Sequence, residues 1–154
     1  MAGTDRLRRV HRQHQVPYTP EQMFDLVSDV DAYPDFLHWC RGSSVKRFSD
    51  TEVVATVEVG IGGIRKSFTT RNTLTRPDEI RMELVAGPFS DFSGSWGFAA
   101  AANGGCAVEL KLDFEVSTTP LEMLFASLFE EMVYTQVAAF VSRADDIYGH
   151  VTDD

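Results

Sequence analysis

Between Cys106 and Val116 every second residue is apolar. Cys106, Val108, Leu110, Leu112, Phe114 and Val116 alternate with Ala107, Glu109, Lys111, Asp113 and Glu115. A strand written this way has one dry face and one wet face, so its sheet needs covering on one side only. Beyond it the pattern changes period. From Pro120 to Tyr148, Leu121, Leu124, Phe125, Leu128, Phe129, Met132, Val133, Ala139, Phe140, Ala144 and Ile147 recur at helical spacing. At 1.5 Å per residue that helix would be about 43 Å long. No other segment is long enough to cover a sheet, so the chain is predicted to close a one-faced antiparallel sheet with its last helix.

The segments upstream supply the rest of the sheet. Val53, Ala55, Val57, Val59 and Ile61 share one face, Ile80, Met82 and Leu84 alternate with Arg81 and Glu83, and Phe92, Gly94, Trp96 and Phe98 alternate likewise. Turn residues at Ser49-Asp50, Gly60–Gly63, Arg76–Asp78 and Asn103–Gly105 separate them. The reading is a meander of about six strands over residues 41–116. A weaker edge strand, 7–16, precedes it and brings the total to about seven. Thr19-Pro20-Glu21-Gln22 starts a short helix, with threonine as cap and proline in the first turn. Tyr33-Pro34 is expected to break it, leaving one more turn over 35–40, rich in bulky apolar groups.

The length of 154 residues suits one domain, taken as 1–154 with a core over about 7–149. With 44% hydrophobic and 24% charged residues, the disordered and collagen-like classes drop out. Two cysteines make neither a disulfide framework nor a metal cluster, and residues 1–5 do not read as a secretory signal. The expected compartment is a reducing one, the cytoplasm. Net charge is −9, but residues 1–82 carry 12 Lys/Arg against 11 Asp/Glu, and residues 83–154 carry 2 against 12. Basic side chains therefore concentrate in the first half, including Arg6, Arg8, Arg9 and Arg12.

Catalysis finds little purchase. The histidines stand at 11, 14, 38 and 150 with no metal-type spacing to cysteine or carboxylate. His11 and His14 fall on opposite faces of a strand. Gly60–Gly63 is followed by no helix and is a hairpin turn, not a phosphate loop. Asp113 and Glu58 lie on wet faces. No catalytic residue, no metal and no required cofactor are assigned, and an enzyme is not expected.

A strongly curved sheet leaves space beside a single cylinder about 10 Å wide. Phe, Trp, Met, Leu and Val would line it, with Tyr33, Phe36 and Trp39 placed as a lid. Such a space is a binding pocket by default, but eleven phenylalanines can also fill it. Composition leaves both readings open.

Here the motifs carry a specific resemblance. Val16–Met23, Asp29–Phe36, Ser67–Asn72, Gly87-Pro88-Phe89 with Gly94–Phe98, Leu112–Val116 and Ala139–Ala144 occur in one order across residues 7 to 149. In that order they resemble the START-like coenzyme-Q-binding or oligoketide cyclase/lipid transport family, closest to its bacterial ribosome association toxin branch. The resemblance implies an α+β helix-grip fold: a curved antiparallel sheet around a long C-terminal helix, with two short helices as a lid. Three positions depart from the family pattern: His38 where a proline is usual, Phe92 where a leucine is usual, and Gln136 within the helix's apolar stripe.

The resemblance implies two functions. One is binding ubiquinone or a related polyprenyl lipid in the cavity, supporting cellular respiration, with transient contact at the inner membrane. The other is binding the large ribosomal subunit and blocking subunit association. Polyketide cyclase activity belongs to the wider superfamily and ranks third. A quinone needs an apolar slot and a few hydrogen-bond donors. The expected ligand-binding set is Phe36, Trp39, Phe68, Thr70, Asn72, Met82, Phe89, Trp96, Phe98, Phe114, Phe129, Met132, Val133, Gln136 and Phe140. Trp96, Gln136, and Asn72 or Thr70 are the candidate donors among them. Gln136 reads equally as a buried amide satisfied by sheet backbone or water. Arg143 is expected to be a structural ion-pair partner. For the ribosome, Arg65, Arg71 and Arg81 alternate onto one outer face as a small basic stripe; the bland alternative is a solvated face balancing the acidic half.

Overall fold

The computed structural model describes residues 7–149; Arg6 and His150, noted above, lie outside them. Strand β1 (Arg8–Val16) leads to α1 (Pro20–Ser28), a 3-10 turn (Val30–Ala32) and α2 (Tyr33–Phe36). The meander follows as β2 (Cys40–Arg47), β3 (Glu52–Ile61), β4 (Ile64–Thr75), β5 (Glu79–Ala86), β6 (Asp91–Ala100) and β7 (Cys106–Glu115). The chain then enters α3 (Pro120–Tyr148). All seven strands form one antiparallel sheet in the order β1-β7-β6-β5-β4-β3-β2. This is the helix-grip architecture.

The first strand closes the sheet's order by pairing with the last, Val10 opposite Leu112 and Val16 opposite Cys106. The β3–β4 hairpin turns on Gly62 and Gly63, at φ 57° and 80°. Two successive positive φ values define the mirror-image turn that suits strand twist, and glycine adopts them without strain. Thr19 caps α1 in a full capping box with Gln22. Thr119 caps α3 by accepting from the Glu122 amide. Changing Thr119 to alanine should cost about 1 kcal/mol, read as a lower urea midpoint at unchanged slope.

Helix α3 lies across the concave face, burying Phe125, Ala126, Phe129, Val133, Gln136, Val137, Phe140 and Ala144. By length and composition it could cross a membrane, but here that face covers the sheet. Its stripe is narrower than the sequence suggested. Leu121, Leu124 and Ile147 are 55%, 51% and 45% exposed, because the sheet meets only one side of the cylinder. Arg8 holds the helix to β1 through Glu130 at 2.7 Å, and Tyr18 bonds Asp145 near its end.

The lid also differs in detail. Helix α1 ends at Ser28, five residues before Tyr33, and Pro34 sits in the first turn of α2. Proline thus opens the second helix, where its missing N–H costs nothing. Leu37–Trp39 is a turn leading into β2.

Candidate functional site

The inner faces of β3 to β7 face α3, and two aromatic clusters fill much of the space between. In the first, the Phe129 ring touches Phe68, Phe89, Phe92, Phe114 and Phe125, with centroids 6.0, 5.1, 6.4, 5.0 and 5.7 Å away. In the second, Phe140 packs on Tyr33, Phe36 and Trp96 at 5.3, 5.4 and 5.3 Å, and Trp96 stacks on Phe98. Rings fill these ends, and the middle stays open.

The opening is a cavity of about 100 Å³. Ten of the expected residues line it: Trp39, Phe68, Thr70, Asn72, Met82, Trp96, Phe129, Met132, Val133 and Gln136. Five do not. Phe89, Phe98, Phe114 and Phe140 are consumed by ring-on-ring packing, and Phe36 lies on the outer side of the lid. Val30, Tyr33, Ala55, Val57, Phe92, Leu110 and Leu112 complete the wall. The strand alternation had put most of these on the inner face without showing where along it the gap would fall.

Three polar side chains sit in this apolar wall. Thr70 and Asn72 are both on the inner face of β4, and the Thr70 hydroxyl donates to Asn72 Oδ1 at 2.8 Å. Gln136 projects from α3, and its Oε1 accepts the indole N–H of Trp39 at 3.0 Å. The lid, rather than sheet backbone, holds the oxygen of that amide. Asn72 and Gln136 are only 6% and 8% exposed. Among the described residues neither Asn72 Nδ2 nor Gln136 Nε2 has a protein acceptor.

The one titratable group in the wall is Tyr33. Its hydroxyl donates to the Val27 carbonyl, and burial pushes its phenol well above the usual range. The buried thiols of Cys40 and Cys106 are likewise pushed up by burial, so neither favours a thiolate. Among the described residues no group of three His, Cys, Asp or Glu side chains is arranged to hold a metal.

Outside the lid a second depression, about 380 Å³, runs along Phe36, Leu37, His38, Gly60, Ile61, Gly62, Thr135 and Ala139. Trp39 and Gln136 line both spaces. The hydrogen-bonded pair therefore stands as the wall between cavity and groove. Close by, the Arg143 guanidinium lies 4.9 Å from the Phe36 ring, and its Nε is buried without a hydrogen bond. Among the described residues it makes no ion pair, contrary to expectation; the lid aromatic takes the place of a carboxylate.

The outer face of the sheet is less basic than its arginines suggested. Arg71 pairs with Glu52 of the neighbouring strand β3 at 2.9 Å, and Arg81 with Glu79, two residues earlier on the same face of β5, at 3.2 Å. Arg65 is exposed beside the β3–β4 turn. Its cross-strand partner Gly60 lies under the Arg41 side chain. Arg41, Arg65 and Lys66 have no carboxylate partner among the described residues.

A curved sheet gripping a long helix, with a short helical lid over an apolar cavity, defines the START-like, helix-grip class of folds. The family model for polyketide cyclase / dehydrase and lipid transport proteins matches residues 16–141, and the chain belongs to that family. It is 43% identical over 143 residues to the ribosome association toxin RatA of Vibrio cholerae, covering 93% of this chain and 99% of that one. More distantly it is 27% identical over 136 residues to the mitochondrial coenzyme Q-binding protein COQ10 homolog B of Xenopus laevis, covering 86% of this chain and 56% of that one. Among solved structures, the Zhui aromatase/cyclase of a Streptomyces species superposes with a TM-score of 0.78 at 16% identity, covering 90% of this chain and 94% of that one. At that identity the likeness concerns the fold.

Proposed function

We propose that the protein binds a lipophilic molecule with a hydrogen-bond-accepting head, a quinone such as ubiquinone, and holds it without chemical conversion. The observation that carries this reading is an apolar cavity lined by two largely buried amides whose N–H groups have no acceptor among the described residues. Those groups are free to donate to a ligand's head. The cavity alone is smaller than the 300–1,000 Å³ usual for ligand pockets, roughly the size for a head group. The adjoining groove supplies an apolar track for an isoprenoid tail. Among the described residues the cavity wall holds no carboxylate, imidazole, thiol or ammonium, which favours carriage over cyclisation. The likeness to a coenzyme Q-binding protein supports the quinone, and a quinone carrier would serve respiration. On this reading the protein works in the cytoplasm and touches the inner membrane transiently to load.

Organic extraction of protein purified from respiring cells, followed by mass spectrometry, is expected to return a quinone in near-stoichiometric amount. An empty extract rejects the reading.

A second reading is favoured by the close relatives, whose names are those of ribosome association toxins. In it the protein binds the large ribosomal subunit and blocks subunit association. The outer-face cations free of carboxylates, Arg65 beside the β3–β4 turn and Arg41 of β2 lying over Gly60, the cross-strand partner of Arg65, are better placed for phosphate contacts than the paired Arg71 and Arg81. Reversing both to glutamate should cut co-sedimentation with large subunits about ten-fold or more and flatten its salt dependence. Reversing Arg71 and Arg81 should do less. Equal co-sedimentation of wild type and double variant rejects this surface. The two readings use different parts of the molecule and are compatible.

A further inference from the structure

We infer that Gln136 and Asn72 select the ligand's head for accepting rather than donating hydrogen bonds, and that Trp39 sets this choice by fixing the Gln136 amide. The inference deepens the ligand-binding reading and rests on it.

An amide side chain offers an acceptor on one side and two donors on the other, and which of them meets a ligand depends on what holds the group. Trp39 settles it for Gln136. An indole N–H can only donate, so the partner 3.0 Å away must be Oε1, and Nε2 is turned elsewhere. At Asn72 the Thr70 hydroxyl donates to Oδ1 at 2.8 Å, leaving Nδ2 uncommitted, although a hydroxyl can also accept and so fixes the amide less firmly than the indole does. Trp96, in the same wall, adds an indole N–H with no acceptor among the described residues. The acceptors that remain in the wall are further lone pairs on oxygens already engaged, those of Thr70, Tyr33 and the two amides.

The polar part of the cavity therefore presents N–H groups with no partner among the described residues, whereas every side-chain oxygen in it already takes part in a hydrogen bond. A ketone or quinone oxygen accepts from those N–H groups and brings no donor of its own. An alcohol or hydroquinone oxygen also accepts, but brings a hydrogen that must find one of the crowded lone pairs or stay unpaired in an apolar wall. The site is thus expected to favour the oxidised, carbonyl form of a ligand over its reduced, hydroxyl form, by about ten-fold.

The test uses two pairs of probes, with affinities measured by calorimetric titration of the full chain. One pair is 2-decanone and 2-decanol, inert to redox exchange. The other is a decyl-chain dimethoxybenzoquinone and its hydroquinone held under nitrogen. Wild type should bind each carbonyl member about ten-fold more tightly than its hydroxyl partner. In Trp39→Phe the ring stays but the N–H is gone, Gln136 is free to present Oε1, and the ratio should fall toward one as the alcohol gains affinity. A merely structural role for Trp39 would weaken both members together and leave the ratio unchanged. Gln136→Met removes the donors outright and should lower the ratio by weakening the ketone. Preference for the ketone with no quinone binding would reject the quinone reading and uphold this inference. Equal affinities within the decanone–decanol pair, binding of neither, or a ratio unmoved in both variants that remain folded, would overturn it.

Discussion

Replacing Phe129 with alanine is expected to cost about 4 kcal/mol, the upper part of the range for large-to-small changes in a core. The ring meets five other phenylalanines and joins α3 to three strands at once: Phe68 from β4, Phe92 from β6 and Phe114 from β7 all converge on it. Truncation removes those contacts and enlarges a cavity that Phe129 already lines. The helix cannot shift inward to collapse it, because Phe125 and Phe140 pin it on either side. For a domain of this size the loss should appear as a fall of about 10 °C in melting temperature. Leu121→Ala and Leu124→Ala, on the same helix but half exposed, should change stability by less than about 0.5 kcal/mol. A Phe129 variant melting within about 2 °C of wild type would show that the phenylalanine cluster is not the load that holds helix to sheet. A long-chain ligand that fills the new space should restore part of the loss by mass action.

The sheet was readable because strand alternation is a local signal. In β7 every inward residue, from Cys106 to Phe114, is buried as its parity requires. The Thr19 capping box was equally plain, since both partners lie within four residues. Parity tells which way a side chain faces, and nothing about what it meets there. Phe68 and Phe114 have the same inward parity, yet Phe68 borders the gap and Phe114 is sealed among rings. Deciding between them needs the position of α3 along the strands, which no local pattern encodes. The same holds for Gln136. Its place in an apolar stripe marked it as unusual, but its partner Trp39 is 97 residues away, on a turn. Arg143 was misjudged for a related reason. A cation predicts a carboxylate in general, and here a lid aromatic stands where the carboxylate would be. The outer arginines were placed on the correct face; cross-strand register then gave Arg71 an acidic neighbour that a single strand could not reveal, whereas Glu79, which pairs with Arg81, stands two residues away on the same strand.

Replacing Trp39 with alanine should speed ligand release about 100-fold while leaving the fold intact. Trp39 lies on a turn at the edge of the core, only partly buried, so the sheet and α3 do not depend on it. What depends on it is separation. Together with Gln136 it forms the wall between the interior cavity and the outer groove, and alanine is too small to reach Gln136 or to close the gap. The loss combines one hydrogen bond, about 1 kcal/mol, with roughly 2 kcal/mol of indole surface that would otherwise cover the ligand's head. Because the entry path widens as the bound state weakens, most of this should appear in the off-rate. Stopped-flow transfer of a bound decyl-chain quinone to acceptor vesicles measures it directly. Trp39→Phe provides the control: its ring keeps the wall and loses only the N–H, so its release rate should stay within a few-fold of wild type. If alanine and phenylalanine release the quinone equally fast, the hydrogen bond and not the ring holds the lid. If neither differs from wild type, the ligand leaves by another route and the groove beside Trp39 is not its exit.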